Sequence, residues 1–323
     1  MAKGRRRVWG IIRNVILILA GLVAVFFLVV VPWFFSSLIT THSFHFPDRN
    51  DGKTPRSYNM DFSWVAFAST DGVPLKGWYM PATGNAKGTI VYCHGLNRTR
   101  VEMLPMAQYG HELGYNGVLF DLRHQGQSGG RMGTLGYQER KDVLGAVRFA
   151  LEQEKAARPL VVWGVSMGAA AALMAAAGSP KIDAVISDSA WTTLHELIAH
   201  HAKLFLGLPS FPIPDEITYW VAWRGGFRPS QFNLETAVER LGRRPALFIG
   251  VERDRRMPPA YAQELYAVSQ SPQKALIIVP GHRHGEGFSS GRQQYEQAVA
   301  QFLARIPSGP DKEVGNGQHP GKQ

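Results

Sequence analysis

Cysteine is nearly absent: Cys93 stands alone in 323 residues. An internal disulfide and a cysteine-rich zinc centre are both excluded, and cysteine usage says nothing about redox compartment. Acid is missing from the first 47 residues, which carry five bases, Lys3, Arg5, Arg6, Arg7 and Arg13. Half of the net charge of +10 therefore sits at the N-terminus. The other half is spread too thinly to form the basic stripe that nucleic acid requires, so nucleic acid is not an expected partner. No internal repeat is present. With 45% hydrophobic and 19% charged residues, wholesale disorder, collagen and coiled coil are excluded. A chain of this length buries enough core to stand without cross-links, as one large α/β domain or two smaller ones.

What is present begins with a run of 21 residues, Val15 to Phe35, without a formal charge and dense in Ile, Leu, Val and Phe. As a helix it spans roughly 30 Å, the thickness of a bilayer's hydrocarbon core. Arg5–Arg7 and Arg13 precede it and no positive cluster follows, which sets the N-terminus on the cytoplasmic side and the rest of the chain outside. Trp9 and Trp33 suit the two interfaces. A cleaved signal peptide would have an apolar core of ~7–15 residues ending at a small-x-small site. Here the run is longer and leads into Trp33-Phe34-Phe35-Ser36-Ser37-Leu38. The expected organisation is a basic cytoplasmic segment at 1–14, a signal anchor at 15–35, a polar linker at 36–56, a globular domain at 57–306 and a disordered tail at 307–323.

Within the globular part, short apolar runs alternate with helical stretches, the pattern of βαβ units and a mostly parallel sheet. Strands are expected at Trp64–Ala68, Leu75–Met80, Gly88–Cys93, Gly117–Phe120, Leu160–Trp163, Ala184–Ile186, Ala246–Ile249 and Ala275–Val279. Helices are expected near Val101–Leu113, Gln138–Glu154, Met167–Ala177, Pro259–Val268 and Gly291–Ala304. Asp71-Gly72 joins the first two strands as a hairpin.

Gly164-Val165-Ser166-Met167-Gly168 lies between an apolar strand and the Ala-rich helix that follows. A nucleophilic serine needs a sharp strand-to-helix turn, and flanking glycines let the neighbouring elements close around it. The helix N-terminus favours the developing negative charge.

Other motifs agree with this one. His94-Gly95-Leu96 follows a buried strand, and Asp121-Leu122-Arg123-His124-Gln125-Gly126-Gln127-Ser128-Gly129 follows the next. Asp254 lies in Gly250-Val251-Glu252-Arg253-Asp254-Arg255-Arg256-Met257-Pro258, and His284 in Gly281-His282-Arg283-His284-Gly285. As a set, over residues 60–305, these resemble the α/β-hydrolase fold, in its serine-aminopeptidase-like and monoglyceride-lipase-like branch. The chain order Ser, Asp, His is the order of that fold. The resemblance implies an eight-stranded, mostly parallel sheet with helices on both faces and a helical cap. It also implies an oxyanion loop at His94-Gly95-Leu96. Triad logic gives Ser166 as nucleophile, His284 as base and Asp254 as the group that holds the imidazole tautomer. Backbone N–H groups of Leu96 and Met167 are the implied oxyanion donors, each worth about 3 kcal/mol. No metal or organic cofactor is implied.

Several assignments have rivals. His282 lies two residues from His284, but the family pattern sets the base three residues after the loop glycine, Gly281. Glu252 and Asp188 compete with Asp254, which is selected by the D-x-x-x-P pattern ending at Pro258, although its loop is one residue longer than the commonest version. Asp188 reads as a capping residue at the base of the cap. Cys93 reads as a small buried hydrophobe and His94 as a residue that shapes the oxyanion loop. Arg123 and His124 order their turn. His195, His200 and His201 have metal-like spacing but no His-Glu-x-x-His pattern, so a solvated or cleft-lining helix face is expected.

The insertion Trp191 to Phe232 is the expected cap. Its aromatics, Trp191, Phe205, Phe211, Tyr219, Trp220, Trp223 and Phe227, either form an apolar acyl or lipid pocket or pack the cap onto the core. The expectation is a membrane-anchored serine hydrolase that cleaves an acyl ester, thioester or amide, with esterase or lipase chemistry preferred. A peptidase on the same triad and a non-catalytic binding protein of the same fold are the alternatives.

Overall fold

A computed structural model describes residues 2–154 and 156–307. Apart from Pro307, the tail expected at 307–323 lies outside the described residues. The chain opens with helix α1 (Ala2–Val25), widens through a π-turn at Phe26–Val30 and continues as α2 (Val31–Thr41). Arg7–Thr41 is long and apolar enough to cross a membrane by length and composition. From Ile11 to Val29 its side chains face outward: Leu17 and Ile18 are each 62% exposed. A helix meets its own backbone hydrogen bonds, so such a segment is stable in hydrocarbon and costly in water.

The helix outlasts the expected span. Residues 36–41, expected in a linker, are helical and carry the buried Ser36 and Thr40. These small side chains let the helix approach the rest of the protein closely. Their hydroxyls bond back to the carbonyls of Trp33 and Ser36, both at 2.8 Å, so burial leaves neither unpaired. Beyond Thr41 the segment runs along the domain. The Phe46 N–H donates to the Asn97 carbonyl at 3.0 Å, and Arg98 Nη1 donates to the Pro47 carbonyl at 2.9 Å.

Eight strands follow: β1 (Ser63–Ala68), β2 (Pro74–Met80), β3 (Thr89–Cys93), β4 (Asn116–Phe120), β5 (Leu160–Val165), β6 (Ala184–Asp188), β7 (Ala246–Val251) and β8 (Lys274–Val279). They form one sheet in the order β1-β2-β4-β3-β5-β6-β7-β8. The β1–β2 and β2–β4 pairs are antiparallel and all others parallel. Helices α3 (Leu104–Glu112), α4 (Glu139–Glu152) and α5 (Met167–Gly178) connect the middle of the sheet. Helices α6 (Leu194–Leu206) and α7 (Ile213–Arg224) make the cap between β6 and β7. The chain closes with α8 (Leu234–Leu241), α9 (Pro259–Val268), α10 (Gly287–Ser290) and α11 (Arg292–Arg305).

Alternation along each strand divides the core in two. From β3, Val91 and Cys93 join Val162 and Phe248 on the face covered by α4 and α5. Ile90 and Tyr92 join Trp163 and Ile249 on the face covered by α11. Both faces are covered, which is why β3 to β7 read as unbroken apolar runs in sequence. Helix α5 is apolar on all sides because it is enclosed; Ala169 to Ala172 are fully buried. Parallel pairing brings the C-terminal ends of β3, β5, β7 and β8 to one edge, where the loops carrying Leu96, Ser166, Asp254 and His284 emerge.

Candidate active site

Ser166 is the single residue between β5 and α5, and its backbone (φ 54°, ψ −119°) is forced out of the regions open to ordinary L-residues. Strain of this kind costs about 1–3 kcal/mol and persists only where the surroundings over-determine it. They do so here. The Ser166 N–H donates to the Asp188 carbonyl at 2.8 Å, and its carbonyl accepts the Ala170 N–H at 3.0 Å. The turn also leaves no room for side chains beside it. A Cβ on Gly164 would run into the Gly168 carbonyl, and one on Gly168 into the Cys93 carbonyl. The two glycines of the motif are therefore required by close approach.

The strained turn aims Ser166 Oγ at His284, whose Nε2 lies 2.8 Å away and accepts its proton. On the opposite side of the ring, His284 Nδ1–H donates to Asp254 Oδ2 at 2.7 Å. Asp254 Oδ1 is held in turn by the N–H groups of Arg256 (2.8 Å) and Met257 (2.9 Å). Burial raises the pKa of Asp254, but the His284 hydrogen bond, the attraction of the ring's positive charge when it is protonated, and the two N–H groups outweigh burial. The carboxyl is held below its ordinary value of 3.8 and stays ionised. The three residues expected from the sequence thus form one continuous hydrogen-bonded relay.

The N–H groups of Met167 and Leu96 donate to no other protein group among the described residues. Met167 opens α5, where first-turn N–H groups have no helical partner. The Leu96 loop is set from two sides. His94 donates from Nδ1 to the Gly95 carbonyl at 2.8 Å and accepts the Leu122 N–H on Nε2 at 3.0 Å. Burial lowers the His94 pKa and keeps the ring neutral, so it can donate and accept at once. Glu102 accepts the Gly95 N–H at 2.6 Å. Nothing in the sequence marked Glu102, which reads as one more polar position in a helical stretch.

The rivals lie elsewhere. His282 is exposed, with only its backbone N–H tied to Glu286, and Glu252 is exposed as well. Asp188 is buried beneath the site, where it accepts from Ser189 (2.7 Å) and the Tyr295 hydroxyl (2.8 Å). The turn after β4 is structural. Asp121 receives Arg100 and the Gln127 N–H, while Arg123 spans Asp71 and the buried Asp142. The cap histidines diverge: His195 faces Asp215, His200 bonds the Arg255 carbonyl at 2.8 Å, and His201 lines the cleft. Burial pushes the His201 pKa down to about 4, so the ring is neutral at physiological pH.

A cavity of about 310 Å³ opens beside Ser166. Leu96, Leu135, Met167, Trp191, Leu197 and Ile198 line it, with His201 and Arg256 as its polar members beside Ser166. Two further wall residues come from α2, Phe35 and Ile39. The cap aromatics divide between two duties, and Trp191 serves both. Trp191, Phe227 and Phe232 are buried in the cap–core interface, where Tyr137 stacks on Phe227 at 3.9 Å between centroids. Phe205 lines the cavity and is 62% exposed, and Phe211, Tyr219 and Trp223 are exposed as well.

Residues 84–217 match the family model described as serine aminopeptidase, S33. Protein YqkD of Bacillus subtilis is 30% identical over 247 residues, a match covering 76% of this chain and 80% of the relative. The chain belongs to the α/β-hydrolase superfamily. Among more distant members, protein bem46 of Schizosaccharomyces pombe is 23% identical over 273 residues, covering 83% of this chain and 85% of its own. In fold, this hydrolase resembles the Pyrococcus furiosus esterase Pf2001, with a TM-score of 0.67 and 24% identity, over 82% of this chain and 98% of that one. It also resembles the Pyrococcus horikoshii acylaminoacyl peptidase, with a TM-score of 0.59 and 18% identity, over 77% of this chain and 42% of that one. The same architecture thus carries esters in one neighbour's name and peptides in another's.

Proposed function

We propose that the chain is a membrane-anchored serine hydrolase that cleaves acyl esters through an acyl-enzyme on Ser166. The observation that carries this reading is the relay of 2.8 Å and 2.7 Å from Ser166 through His284 to Asp254, set beside an apolar cavity. Ser166 Oγ attacks the acyl carbonyl carbon as its proton passes to His284 Nε2, and Asp254 stabilises the imidazolium. The oxyanion is received by the N–H groups of Met167 and Leu96, each worth about 3 kcal/mol. Collapse breaks the bond to the alkoxy leaving group, which takes the proton from His284. Water then gives a proton to the same nitrogen as it attacks the acyl carbon; the acyl–Oγ bond breaks, His284 returns the proton to Ser166 Oγ, and the carboxylic acid leaves.

The apolar lining supports an acyl substrate over a peptide. The long N-terminal helix is assigned as the anchor, with its basic end in the cytoplasm and the catalytic domain on the opposite side. A panel of p-nitrophenyl esters run against aminoacyl-naphthylamides tests the substrate class. Ester turnover that disappears in Ser166→Ala is expected. Faster turnover of the naphthylamides would overturn the ester preference, and no turnover of either by folded wild type would favour a binding protein. A reporter fused after Gln323 tests the orientation, and a cytoplasmic signal would reverse it.

A further inference from the structure

We infer that the N-terminal helix completes the acyl-binding pocket, with Phe35 and Ile39 as the residues that set its acyl-chain preference. The inference rests on the serine-hydrolase reading and names a part of its substrate site supplied from outside the catalytic domain. Three observations converge on it. Phe35 and Ile39 both line the cavity that contains Ser166. They lie four residues apart, one helical turn, and so share one face. The neighbouring stripe, Pro32, Ser36 and Thr40, is buried, while Phe34 points away at 55% exposure.

The helix is also held in register. Arg224, the last residue of α7, donates from Nε to Ser36 Oγ at 3.3 Å, and its guanidinium lies 5.1 Å from the Trp33 ring centroid. The Gly133 N–H donates to the Thr40 carbonyl at 2.9 Å. A one-residue rotation of α2 would break these contacts and remove both side chains from the wall. Trp33, half exposed, suits the membrane boundary, and Ile39 stands six residues beyond it, about 9 Å along the helix axis. The pocket wall therefore begins at the bilayer surface. Its chemistry, apolar around one nucleophile, fits the linear acyl chain of an ester that resides in that bilayer.

The test uses the full chain in nanodiscs. The first readout is the ratio of kcat/KM for p-nitrophenyl decanoate to that for the acetate. Ile39→Trp, which fills the pocket, is expected to lower the ratio at least tenfold, and Phe35→Ala to shift the optimum toward longer chains. Phe34→Ala, on the opposite face, keeps the wild-type ratio. The second readout needs no catalysis: cis-parinaric acid is titrated by fluorescence onto Ser166→Ala with and without Ile39→Trp. A tenfold weaker Kd in the double variant is expected. Chain-length profiles that superimpose on the wild type in both pocket variants, together with an unchanged cis-parinaric acid Kd when Ile39→Trp is added to Ser166→Ala, overturn the inference. Failure of the underlying reading looks different: no Ser166-dependent ester turnover at all, with the fatty-acid titration still reporting on the pocket.

Discussion

Replacing Asp254 by Asn changes one atom and reverses the proton bookkeeping of the site. Asp254 Oδ1 accepts two backbone N–H groups, from Arg256 and Met257, at 2.8 and 2.9 Å. An amide must keep its oxygen there, because turning the NH2 toward two N–H groups would set donor against donor. The Asn nitrogen then faces His284 Nδ1, where the wild-type carboxylate accepts at 2.7 Å. The ring must offer a lone pair at Nδ1 and carry its proton on Nε2, so it can no longer accept from Ser166 Oγ. Inverting the tautomer in Ser-His-Asp enzymes costs about 10⁴ in kcat, or roughly 5 kcal/mol of barrier. The assay is kcat for p-nitrophenyl butyrate in Asp254→Asn, with thermal unfolding as a check that the fold persists. A loss near 10⁴ with little change in KM is expected. An Asn variant within tenfold of wild type would refute the reasoning, since the histidine would then be oriented by something other than Asp254.

Other perturbations follow from the same geometry. Burial pushes Glu102 from an ordinary 4.5 up to about 7. A carboxyl raised in the folded state stabilises fully below its unfolded value, and that contribution fades as pH rises through the folded one. Wild type should lose about 3 kcal/mol through this group between pH 4 and 8, whereas Glu102→Gln should not. The Tm difference, variant minus wild type, is expected to grow with pH, and a flat difference would contradict the assignment. Gly168→Ala drives a methyl into the Cys93 carbonyl and is expected to lower Tm sharply and abolish ester turnover; near-wild-type turnover would show that the turn yields. Tyr295→Phe removes the donor to Asp188 and the acceptor of Trp163 Nε1. It should cost about 1–3 kcal/mol in chemical denaturation, and an unchanged midpoint would show that Asp188 finds another donor.

Legibility in the sequence followed periodicity and local rules. Strands β3 to β7 were readable as apolar runs because they are sealed on both faces, and the Ser166 turn because its glycine spacing is a local pattern, although the contact that Gly168 answers to, the Cys93 carbonyl, comes from the neighbouring strand β3. Asp254 and His284 were reachable through motif resemblance, being far from Ser166 in the chain. What escaped depends on tertiary approach. The extension of the N-terminal helix to Thr41 is decided by docking against α7, since Ser36, Ser37, Thr40 and Thr41 read as a polar exit from the span. Glu102 lies in an ordinary helical stretch, and only the fold brings its carboxylate to Gly95. The cap aromatics were ambiguous because each is apolar in both possible settings. Packing alone separates buried Trp191 and Phe227 from exposed Phe211 and Trp223.

The central claim is that Ser166 is a nucleophile activated by His284. It is tested most directly by reacting the full-length protein with a fluorophosphonate probe and mapping the modified peptide by mass spectrometry. The account predicts a single adduct on Ser166, absent in Ser166→Ala and strongly slowed in His284→Ala. No adduct on folded wild type, or labelling that is indifferent to His284, would contradict it.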